Sequence, residues 1–253
     1  RTEADSRVTA ILRKDRPTEE IAAGDNAEIF VAETPFYGET GGQVGDTGVI
    51  TAGDALFEVW DTQRPVDGLI THIGKLKRGR LRVGDAVHLK VEEGDRRATE
   101  ANHSGTHVLN AALKAVLGDH VKQSGSLVDP ERLRFDFTHF SRIEDDELSR
   151  IESLANETIR RNLPVVTTLL PREEAMKSGA TAVFDEKYGA EVRVVRMGDV
   201  SAELCGGTHV TRTGDIGFLK IVHESAVAAG VRRIEAVTGR GAVAYARRLE
   251  EEL

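Results

Sequence analysis

Over roughly the first 95 residues, apolar and polar positions alternate in short runs. These are "RVTAILR", "NAEIFVAET", "LFEVWDTQ", "LITHIGK" and "AVHLKVE", separated by Gly, Asp and Pro at close spacing. Period-two alternation in pieces this short predicts a small antiparallel barrel or sandwich with no helix longer than a few turns. After Gly94 the period lengthens. "DRRATEANHSGTHVLNAALKAVLG" predicts a helix closed by Gly118, with Ala101, Gly105, Val108, Leu109, Ala112 and Val116 gathered on one side. "RLRFDFTHF" alternates as a strand should. "SRIEDDELSRIESLANETIRRN" predicts a second helix, opened by a capping box of Ser141 with Glu144. A strand at "LPVVTTLL" and a short helix ended by Gly179 come next. Strands at "EVRVVRM", "DIGFLKIVHE" and "VRRIEAVTG" follow, and "AYARRLEEEL" reads as a helix without an end. The expected class is α+β. It comprises a small β-barrel over 1–95, an α+β core with mostly antiparallel sheet over 96–239, and the start of a long helix over 240–253.

Composition narrows the class of protein. The chain has 253 residues, 40% hydrophobic and 30% charged, which suits ordinary globular folding. No apolar run approaches the ~18 residues that would span a bilayer, so no membrane partner is expected. A single cysteine excludes an internal disulfide framework and suits a reducing, cytoplasmic setting. Opening on Arg1 and closing inside a helical pattern, the sequence reads as a piece of a longer protein. The net charge of -8 argues against indiscriminate binding to nucleic acid. Arg64 to Lys90 departs from that balance, with seven Lys/Arg against Asp67 and Asp85. That local excess fits either a partner gripped in one place or a solvated hairpin.

Candidate chemistry concentrates in two short runs. In "NHSGTHVLN" His103 and His107 stand four apart, so they project from one helix face, away from the aliphatic stripe and near Asn110. Alone, the pair fits a metal-binding face or a solvated one. In "ELCGGTHV" the only cysteine, Cys205, stands four residues before His209, with Gly206 and Gly207 allowing a tight turn between them. A thiolate and three imidazoles can fill a tetrahedral zinc shell. The zincin protease motif is excluded because Ser104 stands where that motif needs Glu, and a Cys₂His₂ finger lacks its second cysteine. No carboxylate base is expected beside the ligands. A zinc ion here would either activate water, whose pKa it brings down to roughly 7, or hold a substrate. The glycine-rich run "TPFYGETGGQVGDTGVI" fits no nucleotide fingerprint and reads as a structural loop.

Taken in order, "FYGETGGQVGDTG", "HSGTH", "CGGTH" and "GVRRIEAVTG" closely resemble the editing region of alanyl-tRNA synthetases, along essentially the whole chain. Parts are shared with free-standing alanyl-tRNA editing proteins and the threonyl-tRNA synthetase editing domain. The resemblance implies hydrolysis of serine or glycine wrongly esterified to alanine-specific tRNA. It implies Zn2+ on His103, His107, Cys205 and His209, and a role in editing for Gln123 of "VKQSGSLV". It also implies a glycine-rich loop lining the pocket, with Thr40 or Glu39 near the amino acid. Its expected partners are mischarged tRNA and the rest of the synthetase chain. Arg232 and Arg233 are candidates for tRNA phosphates, at most one of them because they alternate on a strand. No ATP-binding motif of a synthetase is present, and "HIGK" at His72 lacks the helix such a signature needs. A tRNA-binding module with a purely structural zinc is the alternative.

Overall fold

The computed structural model describes residues 1–181 and 190–252. They fall into two compact units, Arg1–Thr40 with Val44–Arg96, and Gly41–Gln43 with Arg97–Leu253.

The first unit is built from β1 (Glu3–Arg13), β2 (Arg16–Pro17), β3 (Glu20–Ala22), β4 (Asn26–Val31), β5 (Gly48–Ala52), β6 (Ala55–Val66), β7 (Leu69–Arg78), β8 (Arg80–Arg82) and β9 (Ala86–Val91). Six of these close an antiparallel barrel in the order β1-β4-β7-β6-β5-β9 and back to β1. The small strands β3 and β8 pair separately. Closure satisfies strand edges that would otherwise lie open. Alternate residues point inward, so Val8, Ile29, Ile50, Phe57, Leu76 and Leu89 fill the centre. Five barrel strands coincide with the alternating runs; the sixth, β5, comes out of the glycine-rich run.

The glycine-rich run is held by a buried ion pair. Asp46, 6% exposed along its side chain like its partner, accepts Arg96 Nε at 2.9 Å and Nη2 as well. Arg96 also donates to Pro35 O at 3.0 Å, and Thr62 Oγ1 donates to Asp46 O at 2.7 Å. Such added bonds are what a buried pair needs to offset the loss of water. On the barrel surface, Lys77, Arg80, Arg82, Lys90 and Arg64 pair with nearby carboxylates. The basic excess is therefore largely neutralised in place, and pairs this exposed to water add little to stability.

The second unit contains most of α1 (Glu93–Leu117), then β10 (Gln123–Val128), β11 (Leu133–Thr138), α2 (Asp145–Arg160), β12 (Val165–Pro171) and α3 (Arg172–Lys177). It continues with β13 (Glu191–Met197), β14 (Ser201–Leu204), β15 (Leu219–Ala228), β16 (Val231–Thr238) and α4 (Gly239–Glu251). A four-stranded antiparallel sheet runs β10-β11-β16-β15, and a three-stranded one runs β12-β13-β14. Val108, Leu109, Ala112 and Leu113 of α1 pack with Phe135, Phe137, Ile234 and Ala236 of the larger sheet and Ile151 and Ala155 of α2. Asn102 fixes the helix, donating to Asp129 O at 2.8 Å and accepting from Thr238 Oγ1 at 2.7 Å. Among the described residues no helix is long and apolar enough to cross a membrane.

Two local expectations are corrected. The α2 capping box is Glu144 with Glu147, not Ser141 with Glu144. Ser141 lies outside the helix, its Oγ 3.1 Å from His139 Nε2. In "DIGFLKIVHE" the strand begins only at Leu219, because Thr213–Ile216 coil into a 3₁₀ turn that Gly217 ends at φ 76°. Arg232 and Arg233 both carry ion pairs, to Glu224 at 2.5 Å and to Asp136 at 2.7 and 2.8 Å.

Candidate metal centre

The middle of α1 is buried on every side, from Thr99 to Asn110. Its aliphatic stripe faces the core, while His103 and His107, 7% and 6% exposed, face a second, polar interior. A solvated polar face is thereby excluded. The two imidazoles stack with centroids 5.4 Å apart and planes 10° from parallel, as residues one turn apart allow. The loop after β14 brings Cys205 and His209 to them, and His209 lies 4.4 Å from His103 and 5.0 Å from His107 by ring centroid.

The ligand atoms converge. One atom from each of His103, His107, Cys205 and His209 lies within 4.8 Å of the others. His103 Nε2 and His209 Nε2 each sit 3.3 Å from Cys205 Sγ. Zinc-like bond lengths of about 2.0–2.3 Å in a tetrahedron put neighbouring ligands roughly 3.5 Å apart, so the spacing fits. His107 Nε2 is buried without a hydrogen-bond partner. An orphaned ring nitrogen in an interior costs about 1–3 kcal/mol, and an ion held by the other three groups would satisfy it.

Each imidazole is oriented through its far nitrogen, as metal-binding histidines generally are. His107 Nδ1 donates to Glu203 Oε2 at 2.9 Å, and Asn110 Nδ2 and Ser201 Oγ hold the other carboxylate oxygen at 3.0 and 3.2 Å. His209 Nδ1 lies 3.2 Å from Ser104 Oγ, which also accepts Val210 N–H at 3.1 Å. His103 Nδ1 lies 2.7 Å from Gln43 Oε1. Arg193, from β13, braces the cysteine loop by donating to Cys205 O at 3.1 Å and to Gly207 O.

Electrostatics favour the ligand forms of Cys205 and His209, whereas at His107 burial is overcome by the charges of Glu203 and Cys205, which raise the imidazole to about 10. Burial opposes ionisation of Cys205, but the neighbouring imidazoles, His103 foremost, outweigh it and hold the thiol well below its usual range. Burial pushes His209 down to about 3, keeping it neutral. Glu203 is held low, against the effect of its own burial, by the adjacent His107. A thiolate with three imidazoles is a donor set for a tetrahedral divalent ion.

The remaining sequence candidates have hydrogen-bond partners of their own. Gln123 opens β10 in the second unit, and its Nε2 donates to Ser126 Oγ at 3.1 Å. Glu39 and Thr40 belong to the first unit; Glu39 accepts Gln63 Nε2 at 3.0 Å, and Thr40 O accepts the Tyr37 hydroxyl at 3.1 Å. No carboxylate base is expected near the ligands in sequence; the carboxylate of Glu203, two residues before Cys205, does stand beside them, held to His107 and Asn110. Strand alternation was the available signal, since residues 203 and 205 share a face. Gln43, Ser104 and Arg193 were also missed.

Two families match the chain. One, described as "tRNA synthetases class II (A)", covers residues 1–95, and the other, "Threonyl and Alanyl tRNA synthetase second additional domain", covers residues 192–235. An alanine–tRNA ligase of Methylococcus capsulatus is 54% identical over 239 residues, covering 94% of this chain and 28% of the relative. Those of Acidithiobacillus ferridurans and Parvibaculum lavamentivorans are 53% and 52% identical, covering 98% and 96% of this chain. The chain thus spans 28% of the length of these relatives.

Proposed function

The chain belongs with the alanine–tRNA ligases, and on that premise we propose that it is their editing domain, a zinc-dependent deacylase acting on tRNA for alanine mischarged with serine or glycine. The observation that carries this reading is the convergence of His103, His107, Cys205 and His209 around the unpartnered His107 Nε2. The need is chemical. A pocket shaped for alanine barely excludes glycine and rejects serine's added hydroxyl only weakly, so accuracy requires a second, hydrolytic sieve.

When bound, zinc would supply Lewis acidity at the ester or at water. The chain's own residues do the rest. Glu203 is committed to His107 and Asn110, so it orients a ligand and is not a free base. Gln123 can donate its amide hydrogens to an ester oxygen but cannot take a proton at neutral pH. Thr40, or Glu39 beside it, is assigned to the amino-acid moiety. The remainder of the ligase chain and the tRNA are the partners, in the cytoplasm.

The fragment should hydrolyse Ser-tRNA faster than Ala-tRNA, and chelation or Cys205→Ala should reduce that hydrolysis to background. Equal background rates for wild type and variant would sink the deacylase reading. A second reading, a tRNA-binding module with a structural ion, is favoured by the four protein ligands, which can close a shell. It predicts metal-dependent tRNA binding with no deacylation.

A further inference from the structure

Gln43, from the glycine-rich run, turns toward the metal centre. Its backbone is fixed first. Gly42 O accepts Val128 N–H at 2.7 Å, and Gln43 forms a parallel bridge with Val128. Gly42, at φ 88°, passes so close to β10 that a Cβ there would meet Ser126 O at 2.6 Å. The Gln43 side chain is then fully buried and has its hydrogen bonds assigned without ambiguity. Thr208 N–H can only donate, and it reaches Gln43 Oε1 at 2.9 Å, so that atom is the carbonyl oxygen. His103 Nδ1, 2.7 Å from the same oxygen, must therefore carry a hydrogen. Gln43 Nε2 donates in turn to Thr208 Oγ1 at 2.9 Å.

A second observation bears on the same contact. Gly207 leaves a space that His103 and Gln43 share; a Cβ there would lie 2.1 Å from His103 Cε1, 2.4 Å from its Nδ1 and 2.7 Å from Gln43 Oε1. The loop between Cys205 and His209 is thus bare of side chain where the amide meets the imidazole.

We propose that Gln43 is a positioning residue of the metal centre, fixing His103 as its Nδ1–H tautomer with Nε2 aimed at the ion, and tying that ligand to the Cys205–His209 loop through Thr208. The inference rests on the metal-centre reading above and adds a residue far outside both ligand motifs.

The test uses Co2+ as an optically visible substitute for zinc, with affinity measured by competition against a chelator. Wild type should bind one ion with a thiolate-to-cobalt band. Gln43→Leu should bind ten- to a hundredfold more weakly, with altered d–d bands because His103 is no longer directed. Gln43→Glu keeps an acceptor for both donors and should restore most of the affinity. Thr208→Val keeps the backbone N–H but removes the acceptor of Gln43 Nε2, and should weaken binding less than Gln43→Leu does. Circular dichroism of the metal-free proteins separates a folding defect from a ligand defect. Unchanged affinity and bands in a folded Gln43→Leu would overturn the proposal, as would equal losses in Gln43→Leu and Gln43→Glu. Absence of any Co2+ uptake by wild type would instead overturn the metal centre itself, and this assignment with it.

Discussion

Two kinds of buried histidine stand in this chain. In the barrel unit, His72 is fully buried, donating Nδ1–H to Ile29 O at 2.9 Å and accepting Thr34 Oγ1–H through Nε2 at 2.8 Å. Phe36 packs edge-on against it at 5.1 Å. Both ring nitrogens are used up, so the ring is core material. In the second unit, His103 and His107 are buried almost as deeply, yet each has its Nδ1 held from behind and its Nε2 turned toward the other ligands. Burial does not distinguish a structural histidine from a ligand. What distinguishes them is whether one nitrogen is left over.

The largest effect expected from this contrast is in the barrel. Burial lowers His72 to about 4 in the folded chain, against about 6.5 unfolded. A base depressed on folding leaves the unfolded chain binding the extra proton between those values. Stability is then full above about pH 6.5 and is lost as pH falls toward 4, by about 3 kcal/mol from this group. Trp60, the only tryptophan, lies in β6 and reports unfolding of this unit. Urea midpoints followed by its fluorescence should fall over that range, and His72→Gln should flatten the fall. An equally steep fall in the variant would break the comparison.

The next effect lies on the other side. Glu203→Gln removes the charge behind His107 and should weaken metal binding by about ten- to a hundredfold, as read by chelator competition. Unchanged affinity would mean that the hold on Nδ1 has no influence on Nε2. The smallest effect is at Thr34. Thr34→Val strands His72 Nε2 without a donor and should cost about 1 kcal/mol in the urea midpoint of the barrel. It should leave metal affinity untouched, and a change in affinity would blur the distinction drawn here.

The sequence disclosed most of this molecule where period and composition agreed. Five barrel strands, the long helix α1 and three of the four strands of the large sheet followed from alternation and helical spacing, while β10 did not. β5 escaped because "GVITA" emerges from a run whose glycines read as loop. β14 escaped because "SAEL" is four residues long and gains its place only by pairing with β13. The α2 cap slipped by three residues, since Ser141 and Glu144 satisfied the same local pattern as the true pair. The four candidate ligands stood out by residue type and spacing. Their supports did not, because Gln43 and Ser104 are ordinary residues whose meaning appears only when the chain folds back over 60 and 105 positions.

Those separations set a schedule. During synthesis His103 is made 102 residues ahead of Cys205, and His209 comes later still. Until then α1 carries a half-made chelate, and closing so long a loop is entropically costly without the surrounding sheet. On the proposed metal-centre reading, firm capture of an ion would therefore belong to the end of folding, and metal content would serve as a tally of chains that have finished.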